Sequence, residues 1–559
     1  MERILLYVHF NKCNHISGHV FYQLEQLKPL FSKILFISNS PLSYEDKCRL
    51  REDLGISYLL ERDNRGFDFA AWRDGMNWLG FDTLQNVDSL TLMNDTCFGP
   101  LWDLEPIYQR SEEDSQVDFW GMTNFRKTRY FEEHLQSYFV TFKQSVLKDK
   151  AFREIWSQVE DFTDVQDVID HYETKFTKRF VEAGFKYQAL LDTRQEEAGE
   201  LIHPDFSYYK PLRILEAKIP FLKVKALTGN PFLARYLLGD LETNSSYPTS
   251  LIREHLFYHF GPDLPCLLED KYLSQSTSNY LTDQPVLLHI HVTDFPIFQQ
   301  YQDKLFSLSS QYQYLVTTDQ PEVLKQLQTV LAHLGNKVQL VLSQTSHAWL
   351  AMLEQKEILQ NYAYIGHLST HRLVENQTVF DQTMRSDLIN MMVDSADASI
   401  EALVQESAVG LVIPDLPRLV RDGLFESEPP RPSLSDVWQE AGLHKSFDFM
   451  TAPSLTRVYG GFVWFKYSAL ASWFQMKSLE SLPSSDQELS DVLEHLLVYL
   501  AWDSHYDFKI MPLSSLPPLL DWQRKRAELT EQKEKLSQKN LSQKIRNRLS
   551  NLLKKKRDS

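Results

Sequence analysis

The sequence predicts an α/β protein with two successive sheet domains, the second a diverged copy of the first, followed by a basic helix. Three observations carry that prediction. From residue 4 onward, short apolar runs alternate with helix-periodic stretches across short connections, as βαβ units do on a mostly parallel sheet. The alternation lapses over residues 268–285, which gain Ser, Thr and Asn, and restarts at Val286. A chain of 559 residues also exceeds what one hydrophobic core usually serves. Domains are therefore expected at 1–267 and 286–515, with a tail at 521–559.

In the first domain, Ile4–Phe10 and Lys33–Ser38 are apolar runs stopped by Asn11 and Asn39, with a helix expected over His19–Leu30 between them. Ile56–Glu61 reads as a third strand, Phe67–Trp78 as a helix and Ser89–Met93 as a fourth strand. Val117–Gly121 and Gln136–Phe142 complete the strand pattern, and Val168–Ala183 is a helix closed by Gly184. In the second domain, Val286–Val292, Tyr312–Thr317, Val338–Leu342 and Tyr362–Gly366 repeat the alternation. Gly461–Phe465 stands where Tyr138–Phe142 stood, so the element order suggests a duplication.

Composition narrows the class. An apolar fraction of 43% and an aromatic fraction of 13% fill cores and argue against disorder. The four cysteines, Cys13, Cys48, Cys97 and Cys266, lack Cys-x-x-Cys spacing, which fits a reducing compartment and neither a disulfide framework nor a zinc site. The start, Met-Glu-Arg-Ile-Leu-Leu-Tyr-Val, reads as a strand rather than a signal peptide, and no apolar run reaches 18 residues. A cytoplasmic protein is expected. His289, His291, His367 and His371 do not have the spacing of a zinc site.

The net charge of −17 is unevenly placed. Residues 521–559 hold 13 Lys and Arg against 5 Asp and Glu, whereas the remainder holds 45 against 70. The acidic body excludes general nucleic-acid binding. In the tail, Leu541, Ile545, Leu549 and Leu552 form a narrow apolar stripe bordered by cations that include Lys554, Lys555 and Lys556. That pattern suits an interfacial helix on an anionic membrane surface, or a charged helix docked on another subunit.

Two motifs carry the chemistry. Asp63-Asn-Arg-Gly-Phe-Asp-Phe-Ala-Ala-Trp-Arg-Asp-Gly75 sets an Asn-x-Gly turn between a strand and a helix. Leu90-Thr-Leu-Met-Asn-Asp-Thr96 is an apolar strand that ends in Asn94 and Asp95. Open α/β sheets bind ligands at the carboxyl ends of their strands. This order of strand, turn, helix, strand and Asn-Asp resembles a nucleotide-sugar glycosyltransferase of the Rossmann-like GT-A type. Asp95 is then the candidate to hold a divalent cation, Mg2+ or Mn2+, on a diphosphate; a strand-end Asx turn is its alternative role. Asn11, Asn64, Gly66 and Asn94 are candidate nucleotide-sugar contacts. Asp68 suits base or ribose hydroxyls, or is simply a first-turn acid, and Arg65 or Arg73 suits phosphate. Glu173, before Phe185-Lys186, is the candidate general base, with a first-turn acid as its plain reading; Glu132, Glu133 and His134 are second choices.

Taken with Asp118-Phe-Trp-Gly-Met-Thr123, His134-Leu-Gln-Ser-Tyr-Phe139, Leu288-His-Ile-His-Val292 and Gly460-Gly-Phe-Val-Trp-Phe465, these motifs resemble the rhamnan synthesis protein F family over most of residues 1–515. The resemblance implies an inverting α-L-rhamnosyltransferase that uses dTDP-β-L-rhamnose and a lipid-linked rhamnan acceptor at the inner membrane face, alongside other polysaccharide-assembly enzymes. The second half departs from the family pattern with Ser343-Gln-Thr-Ser-His347 and Gly366-His-Leu-Ser-Thr-His371, so it reads as a degenerate GT-A-like domain serving acceptor binding or assembly. The rival readings are a transferase for another sugar, such as a glucose side branch, and a glycan-binding scaffold.

Overall fold

The structure, a computed structural model, describes residues 1–513 apart from 129–131, 195, 197–204, 274–279, 375–376, 422, 424–427, 453, 477–481 and 484. The expected tail helix, with Leu541, Ile545, Leu549 and Lys554 to Lys556, lies outside the described residues. The chain forms two compact units, Met1–Phe260 and Gly261 onward. Among the described residues no helix is long and apolar enough to cross a membrane.

The first unit holds strands β1 (Arg3–His9), β2 (Lys33–Ser38), β3 (Tyr58–Glu61), β4 (Ser89–Asn94), β5 (Cys97–Phe98), β6 (Phe119–Phe125), β7 (His134–Leu135), β8 (Phe139–Lys143), β9 (Tyr187–Leu191) and β10 (Leu222–Lys223). The main sheet runs β3-β2-β1-β4-β8-β6; β7 and β9 both pair with β6, and β10 pairs with β5. The first four strands are mutually parallel, β8 is antiparallel to β4 and β6, and β9 is parallel to β6. Strand β1 shows why its sequence is an unbroken apolar run. Ile4, Leu6 and Val8 enter one core with Phe69 and Trp72 of the helix Phe67–Leu79, while Leu5 and Tyr7 enter the opposite core with Val20 and Leu24. Both faces are covered, so neither can be polar.

The second unit repeats the plan with β11 (Val286–His291), β12 (Tyr312–Thr318), β13 (Val338–Leu342), β14 (Tyr364–Ser369), β15 (Val409–Pro414), β16 (Val463–Lys466) and β17 (Asp507–Met511). Their order is β13-β12-β11-β14-β16-β15-β17, and each pairing has the direction of its counterpart in the first sheet. In particular β16 takes the place of β8, and Lys466 lies opposite Tyr364 as Lys143 lies opposite Ser89.

Three expectations shift. The unit boundary falls after Phe260 and not at 267. Tyr499 and the Thr456 N–H both donate to the Asp263 carboxylate (2.7 and 2.9 Å), and Lys271 pairs with Asp507, so residues 261–271 belong to the second core. The strand expected at Gln136–Phe142 starts at Phe139, after the separate short strand β7. The continuous helix expected over Val168–Ala183 is broken. After Val165–Val168 the chain makes a π turn over Ile169–Glu173, where the Thr174 N–H reaches the Ile169 carbonyl (3.1 Å), and a new helix runs over Phe176–Glu182. Thr177 of that helix accepts the Leu135 N–H (2.9 Å), a sheet contact that helical periodicity does not reveal.

The second sheet is packed tightly at β14. A Cβ at Gly366 would lie 2.4–2.7 Å from three ring atoms of Trp464, whose indole N–H donates to the Met392 carbonyl (2.6 Å) and fixes the ring. Gly366→Ala should therefore destabilise the protein by roughly 1–3 kcal/mol, as overpacking does, although alanine is the better strand residue. Thermal melting of the two proteins side by side measures this; an unchanged Tm would mean that the indole moves freely.

Candidate active site

The site begins with register. Val8 lies opposite Asn94, so the residues that come after β1 and β4 emerge side by side at the carboxyl edge of the sheet. Asp95 Oδ2 accepts the Phe10 N–H (3.1 Å) and stands 3.9 Å from His9 Nε2. Asn94 makes the Asx turn that the sequence equally allowed for Asp95: its Oδ1 accepts the Thr96 N–H (3.3 Å) and hydroxyl (2.7 Å). Its amide also donates to Asp68 Oδ2 (2.8 Å), joining the end of β4 to the first turn of the helix Phe67–Leu79.

The turn before that helix is tightly constrained. Gly66 has φ 68°, and a Cβ there would come within 2.4 Å of the Ala70 Cβ and 3.1 Å of the backbone at Glu160 and Asp161. Phe67, at φ 50°, is a left-handed non-glycine residue beside Asp68, the kind of strain that a functional turn retains. Asn64 accepts from the Asn39 amide (3.1 Å), and Asn39 accepts from Arg62 (2.9 Å). Arg62, which the motifs did not single out, organises this corner: it also binds Asp74 (2.8 Å) and the Arg65 carbonyl (2.7 Å).

The expected phosphate ligands separate. Arg73 is committed to Asp74 (2.7 Å), Asp161 (2.8 Å) and the Val159 carbonyl, which makes it a brace of the turn. Arg65 remains exposed on the turn. Asn11 is a strand stop whose Oδ1 accepts the Cys13 N–H (2.8 Å), and its amide approaches His259 (3.4 Å).

Glu173 ends the π turn and accepts the Ser137 hydroxyl (3.0 Å). It is thus not a first-turn acid stabilised by a helix dipole. π turns recur at functional sites because they re-aim one side chain. Of the second-choice bases, Glu132 pairs with Lys127 (3.2 Å) and Glu133 accepts from Tyr187, while His134 is buried and bonded to the Glu132 carbonyl (2.8 Å).

Electrostatics link the three acids that come from different elements. Burial raises the Asp68 carboxyl to about 6, the Asn94 amide and Arg62 oppose the rise, and the Glu173 charge adds to it. Burial likewise raises Asp95 to about 7, the Phe10 N–H opposes this, and the Asp68 charge adds to it. Both carboxylates resist ionisation, in partly buried positions and with like charges nearby, and a divalent cation placed between them would relieve both penalties. Among the described residues, no group of three or more His, Cys, Asp or Glu side chains is gathered as a complete metal cage. A cation held there would have to complete its shell with other oxygens.

Sequence reasoning also missed the cations. Lys223 lies opposite Cys97 in the β5–β10 pair, and the Val224 N–H donates to the Thr96 carbonyl (2.9 Å), which brings Lys225 beside the Asp95 loop. Lys223 and Lys225 bind Asp205 (3.3 and 2.6 Å). Burial works against ionisation of Asp205, but the two lysines outweigh it and hold the carboxyl below the usual range. Lys225 remains half exposed and feels the charge of Glu173. Its only sequence signal is the alternation Leu222-Lys-Val-Lys225.

The raised Asp95 carboxyl has a consequence for stability. An unfolded Asp titrates near 4, so the Asp95 charge opposes folding increasingly between pH ~4 and 7 and constantly above that. Asp95→Asn should raise stability by about 1 kcal/mol or more at pH 8 and by almost nothing at pH 4. Melting curves across that range test this, and a gap that widens as pH falls would contradict it.

With this geometry in place, comparison with known proteins is informative. The rhamnan synthesis protein F family model matches residues 34–506. The uncharacterized protein y4gN of Sinorhizobium fredii is 32% identical over 244 residues, which cover 43% of this chain and 61% of that protein; the match thus spans about three fifths of the curated relative's length. Among solved structures, the mannosyltransferase PcManGT of Pyrobaculum calidifontis, in complex with GDP-Man and Mn2+, is 10% identical over 55% of this chain and 71% of its own, with a TM-score of 0.25. Glucosyl-3-phosphoglycerate synthase of Mycobacterium tuberculosis, in complex with Mn2+, UDP and glucosyl-3-phosphoglycerate, is 11% identical over 44% and 78%, with a TM-score of 0.23. The family match covers most of the chain, and the chain belongs to the rhamnan synthesis protein F family.

Proposed function

We propose that the first unit is the catalytic domain of an inverting α-L-rhamnosyltransferase that moves rhamnose from dTDP-β-L-rhamnose to a lipid-linked rhamnan chain. The observation that carries this reading is the convergence of Asp68, Asp95 and Glu173, from three separate elements, at the carboxyl edge of a parallel sheet. Family membership supplies the polymer; a β-linked donor and an α-linked product supply the inversion.

Each residue then has a distinct part in the chemistry. Glu173 takes the proton of the acceptor hydroxyl, whose oxygen bonds to the anomeric carbon while the bond from that carbon to the diphosphate oxygen breaks and dTDP leaves. The Ser137 hydroxyl orients the Glu173 carboxylate. Asp68 and the Asn94 amide face the nucleoside end, and Asn64 with Gly66 shapes the turn that encloses it. Lys225 and Arg65 balance the charge of the departing diphosphate. Asp95 would hold a divalent cation, Mg2+ or Mn2+, which supplies neutralisation of the diphosphate when bound.

The reading also places the protein on the inner membrane face through its basic tail. Removal of residues 521–559 should abolish binding to anionic liposomes, and salt should weaken binding of the full chain because surface charges are screened over about 8–10 Å. Equal binding of both proteins would remove the membrane role from the tail.

Catalysis is tested by donor affinity and transfer rate on the same preparations. Glu173→Gln should cut transfer by roughly 10²–10⁴ and leave dTDP-rhamnose affinity nearly unchanged. Asp95→Asn should lose both transfer and its dependence on added metal. Undiminished transfer by Glu173→Gln would move the base elsewhere; no transfer by the unaltered protein to any rhamnosyl acceptor would favour a glycan-binding scaffold.

A further inference from the structure

The matching registers allow residues of the two units to be equated. Ser89 and Tyr364 each face a lysine, Lys143 and Lys466, so Asn94 corresponds to Ser369 and Asp95 to Thr370. The same register equates Phe10 with Thr293. The hydrogen bond is kept across the copy: the Phe10 N–H donates to Asp95 (3.1 Å), and the Thr293 N–H to the Thr370 hydroxyl (3.0 Å). Next to them, Ser38 pairs with Glu61 and Thr318 with Leu342. Counting seven residues on from each places Trp349 where Asp68 stands. Tyr187 and Phe508 are likewise equivalent, and fourteen residues before them lie Glu173 and Glu494.

Two of the three acidic positions have thus lost the carboxylate. Asp95 is replaced by a hydroxyl and Asp68 by an indole. Glu494 survives but is buried and clasped by the Arg457 guanidinium (2.7 Å), with a further bond from the Gly460 N–H at the position of Ser137. A cavity of about 550 Å³ opens at this same place in the second unit. Its walls include Trp349, which packs on His367 with ring centroids 4.2 Å apart, and His347, whose Nε2 meets Ser490 (3.0 Å). His347 is buried, and its Nδ1 has no hydrogen-bond partner. Arg372, at the rim, stands 3.5 Å from Asp294.

We propose that this cavity is a former donor site converted to bind a neutral sugar residue of the growing glycan, with Trp349 as the apolar wall and His347 as a hydroxyl partner. The reasoning is one of charge. A metal-bound nucleoside diphosphate needs free carboxylates; here the counterparts of Asp95 and Asp68 are uncharged, Glu494 is bound by Arg457, and the other carboxylate on the wall, Asp486, accepts the Ser346 hydroxyl (3.2 Å). A neutral polyol needs an apolar face and a few hydrogen-bonding groups, and this cavity offers both. Burial lowers the His347 imidazole to about 4, so it meets a hydroxyl as a neutral donor and acceptor.

The proposal rests on the glycan reading of the first unit, and the test keeps the two apart. A methyl glycoside of an α-linked rhamnose trisaccharide, and separately dTDP with Mg2+, are titrated calorimetrically into the full chain. Two second-unit variants are compared: His347→Ala, and Gln487→Trp, which fills the cavity from an exposed helix position without disturbing the interior. Both should weaken trisaccharide binding at least tenfold and leave dTDP binding unchanged, whereas Asp95→Asn should affect dTDP alone. Failure of Asp95→Asn to alter dTDP binding would count against the donor site without touching the cavity result. The proposal is overturned if the trisaccharide does not bind, if a folded Gln487→Trp protein binds it as tightly as the parent, or if either second-unit variant weakens dTDP.

Discussion

The parallel pairing of β1 with β4 places the chemistry. Because Val8 lies opposite Asn94, the chain leaves both strands at one edge, and the first residues beyond them must satisfy each other's backbone. Asp95 does so by accepting the Phe10 N–H, and that bond favours the carboxylate in a partly buried corner where desolvation works against it. Asn94 then reaches Asp68, and Asp68 feels Glu173. The placement of Asp95, Asn94 and Asp68 descends from one strand register, since moving β4 by a single residue would turn Asp95 to the opposite face.

Much of this was legible because sheet-end chemistry is local. The apolar runs, the Asn-x-Gly turn and the Asn-Asp stop each announce themselves within a few residues, and the duplicated strand order emerged from their spacing. The features that were not legible depend on partners distant in sequence. Arg73 looks like a phosphate ligand until Asp161, 88 residues away, is seen to hold it. Arg62 looks ordinary until Asn39 and Asp74 are seen around it. Lys225 reaches the Asp95 loop only because β10 pairs with β5 across more than a hundred residues. The π turn at Glu173 escaped for a different reason: one extra residue in a helix leaves the apolar periodicity almost intact while it rotates the next turn about the axis.

The two units show how a single bond can be kept while its chemistry is discarded. Thr370 accepts the Thr293 N–H much as Asp95 accepts the Phe10 N–H, so the strand end stays satisfied. The difference is a charge, and a charge in that place is costly: the Asp95 carboxyl is shifted to about 7 and Asp68 to about 6. The second corner avoids that cost, and at the position of Asp68 Trp349 presents an apolar ring that packs on His367. Arg457 neutralises the carboxylate that remains.

That contrast also bears on the first unit. If these partly buried carboxylates served only the fold, the same drift toward neutral residues would be open to both copies, since both have the same strand order and hydrogen-bonded corner. The first copy keeps Asp68 and Asp95, each unfavourable to the other, and leaves Glu173 with a serine hydroxyl as partner and Lys225 nearby. An arrangement that lowers stability and persists beside a neutral counterpart in the same chain is most simply explained by a ligand that needs those charges. The proposed nucleotide-linked sugar, bound through a cation, would meet that need.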